Sequence, residues 1–311
     1  MDLVIGQQAL PRRPYVLAVQ PCGTVPIYAP ICCIRPWAFT TPTHDFSKQP
    51  TMPGLEGISY SRDATVAAFR DYYSFLVSMY LDTSAVQEPP KGGWPTIPQN
   101  GWPGFDKTDE VVALLRELPY LKGWDVHAAP YTVIAEWYIM DEDADGEGLK
   151  EWTEPDPDEA TIPAHIVGFT VPNNRSLAPA MLLDTEFGVI YWYECIGDIG
   201  SSVFEQAGDA YGWWDDGLIT EDQAGWRGNS SIWAIETFFE MLKEHFRKLD
   251  FVPMKPYEVT DVWVEQSDYM KETRALVQNI YRKHGWPELA RFDKQECAAE
   301  VKTLLDKRGA A

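Results

Sequence analysis

Between residues 131 and 195 the chain carries four runs rich in β-branched and aromatic residues, with no long helical period between them. They are residues 131–140, 165–171, 180–184 and 189–195. Side chains of this kind fit a pleated, half-buried surface. Strands that follow one another so closely pair antiparallel, because a parallel crossover takes about a dozen residues, usually as a helix. Asp184, Thr185, Glu186, Phe187 and Gly188 join the last two runs as a hairpin, with Gly188 supplying a positive φ.

Helical periods flank this block on both sides. Ser61 opens a helix whose Val66, Phe69, Tyr73 and Leu76 share a face, and Thr108 caps a short one with Asp109 and Glu110 at its positive end. Downstream, Asn229, Ser230 or Ser231 caps a helix carrying Ile232, Ile235, Phe238, Phe239, Leu242 and Phe246, which Pro253 and Pro256 end. Ser267 opens another, closed near Gly285, and Asp293 with Glu296 makes the capping-box spacing of a last helix. The expected class is α+β: a mainly antiparallel sheet of at least four strands, about 131–195, flanked by N-terminal and C-terminal helices in a single domain spanning 56–311. Residues 1–55 are rich in proline and show no apolar period, so a poorly ordered arm is expected there.

Charge narrows the partners. The 26 Lys and Arg against 47 Asp and Glu leave a net charge of −21. Nucleic acid and anionic membranes are bound by clustered bases, so both are excluded as partners. There is no uninterrupted run of ~20 apolar residues to span a bilayer. Five cysteines at irregular spacing, without CxxC, make neither a disulfide framework nor a zinc site, which points to a reduced interior such as the cytoplasm or nucleus. The acid is uneven. Residues 136–159 hold eleven acids and one base, residues 184–221 nine acids and no Lys or Arg, and residues 243–311 twelve acids and thirteen bases.

Chemistry is harder to find. The P-loop, GxGxxG and GxSxG patterns are all missing. Cys195 with His165 is a possible pair on neighbouring strands, but the surrounding carboxylates would raise the thiol pKa rather than lower it. Asp141, Asp143 and Asp145 alternate ahead of Gly146 as in a calcium loop, yet the twelfth position is Trp152 rather than an acid. These three are weak metal candidates, and a solvated acidic loop between two strands is the expected structure. No catalytic residue, metal or cofactor is assigned. The remaining constellation is Tyr211, Trp213, Trp214, Asp215 and Asp216, aromatics beside carboxylates in a Gly-flanked segment. It supports two readings. In one, a non-enzymatic protein binds a basic protein partner through an acidic sheet-and-loop surface, with Trp213 or Trp214 as the apolar anchor. In the other, an enzyme or lectin-like binder holds a polar small molecule or glycan in a Trp/Asp-lined pocket.

Residues 181–193, then an acidic stretch, then residues 231–242 resemble the core of the SUKH superfamily, which includes fungal cell-wall regulators of the Smi/Knr type and bacterial immunity proteins. Gly93-Trp94-Pro95, Glu117-Leu118-Pro119-Tyr120 and His284-Gly285-Trp286-Pro287 are similar to an uncharacterised family from filamentous fungi. The resemblance implies a SUKH-like α+β fold and a binding role through an acidic face, and it brings no catalytic residues.

Overall fold

Three of the four strands that build the main sheet stand where the β-branched and aromatic runs put them. The computed structural model describes residues 55, 57–155, 161–172, 179–195, 199, 206–208, 210–264 and 266–309, all within the compact unit Gln49–Ala311. The expected arm over 1–55 lies outside the described residues except for Leu55, which packs with Ile58 against the core.

The sheet runs in the order β5 (Ile166–Gly168), β6 (Ala180–Asp184), β7 (Val189–Tyr193), β8 (Ser230–Ala234), antiparallel throughout. Its register sorts side chains by face. Val167, Leu183, Ile190 and Trp233 form one cross-strand row, and their side chains join a core with Phe69, Phe238 and Phe239. The neighbouring row, Leu182, Tyr191 and Ile232, points the other way into a second core with Trp213 and Trp226. Antiparallel sheets commonly leave one face wet, and then alternate apolar with polar. Here both faces are covered, which is why Ala180, Met181, Leu182 and Leu183 are apolar without a break.

The first face is covered by α1 (Arg62–Met79), capped by Ser61, and α6 (Ile235–Lys248), which meet through Phe69 and Phe239 with ring centroids 4.7 Å apart. Beside them lie α2 (Asp109–Glu117), with the expected Thr108 cap, and α3 (Gly146–Thr153). The two-residue strands β1 (Val86–Gln87) and β2 (Tyr120–Leu121) pair antiparallel. The second face is covered by α4 (Ala210–Asp215) and α5 (Glu221–Gly228). Farther along, the hairpin β9 (Phe251–Lys255)–β10 (Glu258–Asp261) leads to the paired helices α7 (Asp268–Lys283) and α8 (Lys294–Arg308). Ser267 and Asp293 cap these two helices as their spacing predicts.

Three expectations need correction. Residues 131–140 do not form a sheet strand. Only β4 (Thr132–Val133) is extended there, pairing with β3 (His127–Ala129) in a small hairpin, and a single bridge links Ile134 to Thr170. The chain then tightens into a 3₁₀ turn at Trp137–Ile139, which seats Trp137 against Trp102 and Phe105 at 5.5 and 5.3 Å. The fourth strand is instead β8. Ser230, Ser231 and Ile232 pair with Tyr193, Trp192 and Tyr191, so the expected helix begins at Ile235. Ile232 and Ile235 are spaced as on a helix, but they sit on opposite sides of the sheet, in the second and first cores. Finally, Pro253 does not simply terminate a helix. It lies inside β9, in a hairpin where a strand can accommodate it.

Candidate functional site

The segment from Gly208 to Asp222 is fixed to the second face of the sheet by one tryptophan and displays another. In α4, Ala210 and Trp213 are three residues apart and turn inward together. The Trp213 ring meets Phe187 edge-on at 5.5 Å and is only 4% exposed. Its seat depends on Gly208: at φ +144 a Cβ there would lie 2.8 Å from the indole nitrogen. One residue on, the helix has rotated by about 100°, so Trp214 faces out, 41% exposed. Gly217, at φ +74, closes the helix as its N–H donates to the Trp214 carbonyl at 2.9 Å. Leu218 N–H donates to the Trp213 carbonyl at 2.8 Å. Leu218, which follows this tight turn, is also exposed, at 52%.

Asp215, Asp216, Glu221 and Asp222, on the same short stretch as these two apolar side chains, are all exposed. The first base downstream of Asp215, Arg227, is buried, so nothing on this stretch neutralises them locally. Of the five residues that the sequence singled out, Trp214, Asp215 and Asp216 share the surface, and Trp213 lies beneath it. The Tyr211 side chain falls outside the described residues. So do Asp198, Glu205 and Asp209 of the same acidic stretch.

An acid-only stretch is expected to remain mostly solvated, because an unpaired buried carboxylate is costly. Asp184 is the exception: it is 0% exposed, at the end of β6. One carboxylate oxygen accepts from the backbone N–H groups of Glu186 and Phe187 at 2.8 and 2.9 Å, fastening the hairpin turn. The other accepts from Tyr191 Oη at 3.1 Å and Arg227 Nη1 at 3.1 Å. The guanidinium of Arg227, 1% exposed, also donates to Tyr191 Oη and to Gln223 Oε1, the latter at 2.9 Å. It lies 4.9 Å from the ring centres of both Tyr191 and Trp226 and 5.3 Å from Phe187. This buried ion pair ties α5 to the sheet behind the displayed turn. The available signal was an arginine alone after a long acid-only run, with its partner some forty residues upstream.

The calcium-like stretch resolves into a turn and a helix rather than a loop between two strands. Asp145 caps α3 by accepting from Glu147 N–H at 3.2 Å, and the Asp141 carbonyl accepts from Trp102 Nε1 at 2.8 Å. Gly146 is pressed against Phe105, where a Cβ would stand 2.3 Å from the Phe105 nitrogen. Asp143 is exposed. Among the described residues no group of three or more His, Cys, Asp and Glu is placed to hold a metal. Glu154, which ends this stretch, is buried and pairs with Lys107 Nζ at 2.7 Å.

The Cys195–His165 pairing fails on register. His165 precedes the β5 end that faces Asp184 and Val189, whereas Cys195 lies six residues beyond Val189, roughly 20 Å along the strand. His165 instead faces Glu186 at 3.0 Å and Asp184 at 3.8 Å. No described helix is long and apolar enough to cross a membrane. Comparison with protein-family models, with curated proteins and with solved structures gives no match.

Proposed function

We propose that this is a non-enzymatic binding protein that docks a basic protein partner on the turn from Trp214 to Asp222. The observation that carries this reading is the placement of exposed Trp214 and Leu218 among exposed Asp215, Asp216, Glu221 and Asp222. Large apolar side chains rimmed by charge are the composition of a docking site: the ring supplies desolvation, and the carboxylates supply steering and register. The acidic surface belongs to helices and turns, since both faces of the sheet are covered. The alternative, a glycan or polar metabolite held between tryptophans and carboxylates, loses one of its walls because Trp213 is buried.

The SUKH-like assignment is proposed on the same footing. It is supported by the order of elements over the segments that carry the resemblance: β6, a hairpin turn, β7, an acidic helical stretch, then β8 running directly into α6. A binding role without catalytic residues agrees with it.

The test compares wild type with Asp215→Lys/Asp216→Lys and with Trp214→Ala, each used to capture proteins from native lysate. Wild type should retain a basic partner at about 0.1 M salt and release it near 1 M, where the screening length falls to about 3 Å. Charge reversal should abolish capture, and Trp214→Ala should weaken it at both salt concentrations. All three proteins should melt alike, because the substituted side chains are exposed. Equal capture by all three would remove binding from this surface.

A further inference from the structure

Away from the sequence-nominated residues, none of which lines it, the β9–β10 hairpin and α8 border a half-open cavity of about 520 Å³. That volume falls within the ~300–1,000 Å³ of small-molecule sites. Its floor is apolar: Met254 from the hairpin, Tyr281 from α7, and Val301 and Leu305 from α8 are all buried side chains that reach it. Two tyrosines on the wall present rings rather than hydroxyls. Tyr80 Oη donates to the His127 carbonyl at 2.5 Å, and Tyr281 Oη donates to the Pro253 carbonyl at 3.3 Å. The remaining polar functions are Lys255, Lys302 and Asp306. Tyr257, Lys302 and Asp306 are exposed and so mark the rim. Lys302 donates to Asp306 at 2.8 Å, and an ammonium has two further N–H groups to give. Lys255 lies 5.5 Å from the Tyr257 ring centre and pairs with Glu258 at 3.6 Å, so each lysine already has one carboxylate neighbour.

Charge at this end is close to balanced. Residues 243–311 hold thirteen bases and twelve acids and contribute almost nothing to the net −21, so an anion meets less repulsion here than near the acid-only stretches. We propose that this cavity binds a small amphipathic carboxylate, its apolar body against Met254, Tyr281, Val301 and Leu305 and its head group between Lys255 and Lys302. The site is separate from the acidic turn, and neither proposal depends on the other.

The full chain would be titrated with 8-anilinonaphthalene-1-sulfonate, an aromatic anion that fluoresces in apolar sites, and the bound dye displaced with decanoate or decanol. One site is expected, with decanoate displacing the dye at lower concentration than decanol. Ala298→Trp adds an indole from an exposed position on the cavity wall and should abolish dye binding without a change in melting temperature. Lys255→Gln/Lys302→Gln should weaken decanoate about fivefold, the scale of a partly exposed ion pair, and leave decanol unchanged. Unaltered dye and decanoate binding in Ala298→Trp would overturn the location. Equal potency of decanoate and decanol in wild type, or an unchanged decanoate affinity in the lysine variant, would overturn the carboxylate. Tighter binding of a short peptide ending in leucine would replace the small molecule with a protein tail. The lysine variant keeps the proposal testable if Ala298→Trp does not fold.

Discussion

Replacing Arg227 with Met separates the contributions of charge and packing beneath the displayed turn. The methionine stem keeps much of the contact with Tyr191, Trp226 and Phe187, but Asp184 loses its countercharge while remaining wholly buried. Removing one partner of a buried pair costs about 3–5 kcal/mol. Asp184 retains three neutral donors, the N–H groups of Glu186 and Phe187 and the Tyr191 hydroxyl, so the lower end, about 3 kcal/mol, is expected. For a folded unit of this size that corresponds to a melting temperature lower by about 6–12 °C. Asp184→Asn preserves the acceptor that the turn needs and strands the guanidinium instead, at a similar cost. The double variant removes both charges together and should cost about 2–3 kcal/mol, well short of the sum. Urea unfolding followed by tryptophan fluorescence and far-ultraviolet circular dichroism measures all four proteins. If the two single losses add to within about 0.5 kcal/mol, the residues are not coupled, and the account of this cluster is refuted. A loss under about 1 kcal/mol for Arg227→Met would refute it equally.

Four further outcomes follow from the same kind of reasoning. Burial holds the Glu154 carboxyl above its ordinary 4.5 and the Lys107 ammonium below its ordinary 10.5, each only partly offset by the other. Lys107→Met should therefore cost about 3 kcal/mol near pH 7. A carboxyl whose folded pKa is raised takes up its proton first in the folded state, so that loss should shrink as the pH falls from about 7 towards the raised pKa of Glu154, read as converging urea midpoints. Gly168→Ala would put a Cβ 2.1 Å from the Thr153 carbonyl oxygen, so it should cost about 3 kcal/mol or more by levering α3 off the edge strand; a melting temperature like wild type would contradict that contact. Cys297 is buried, and desolvation with Glu300 and Asp293 nearby pushes its thiol to about 12, so iodoacetamide should leave it unmodified in native protein and alkylate it in urea, as peptide mass mapping would show. Trp213→Ala should cost about 3–5 kcal/mol and Trp214→Ala under about 0.5, a contrast that denaturation of the two variants reads directly.

Much of the architecture was legible because it is written in local rules. Ser61, Thr108, Ser267 and Asp293 all cap helices where their spacing to the apolar period puts them. The hairpin at Gly188 follows from a single positive-φ residue between two apolar runs. The misreadings share a cause, which is that tertiary partners overrode local preference. Residues 131–140 have strand-like composition, but Trp137 is drawn into a ring cluster with Trp102 and Phe105, and the backbone coils to deliver it there. Ser230 and Ser231 suit a helix cap equally well, and only β7 waiting with an unpaired edge makes them a strand. At the candidate site, the composition pointed to the right segment, but whether Trp213 or Trp214 is displayed depends on which ring meets Phe187. For the pairing of Asp184 with Arg227 across forty-three residues, a lone arginine after an acid-only run is the one hint, and no local rule names its partner.

The covering of both sheet faces also accounts for where the acid can act. A carboxylate on a two-sided buried sheet must either find a cation or be excluded, and Asp184 is the case in which a cation was found. The remaining described acids of that stretch with exposed side chains, Glu186, Glu194, Asp215, Asp216 and Glu221, lie on turns or on the outer layer of helices. That layer is thin: α4 has six residues and α5 eight, too short to hold helical structure in isolation. Its stability must come from below, from Trp213 against Phe187 and from Arg227 in its ring cage. A surface built this way can be dense in like charge without unfolding, because its anchoring contacts are apolar or internally paired. On this turn exposed apolar side chains and like charge occur together, and a basic partner with an apolar pocket would relieve both at once.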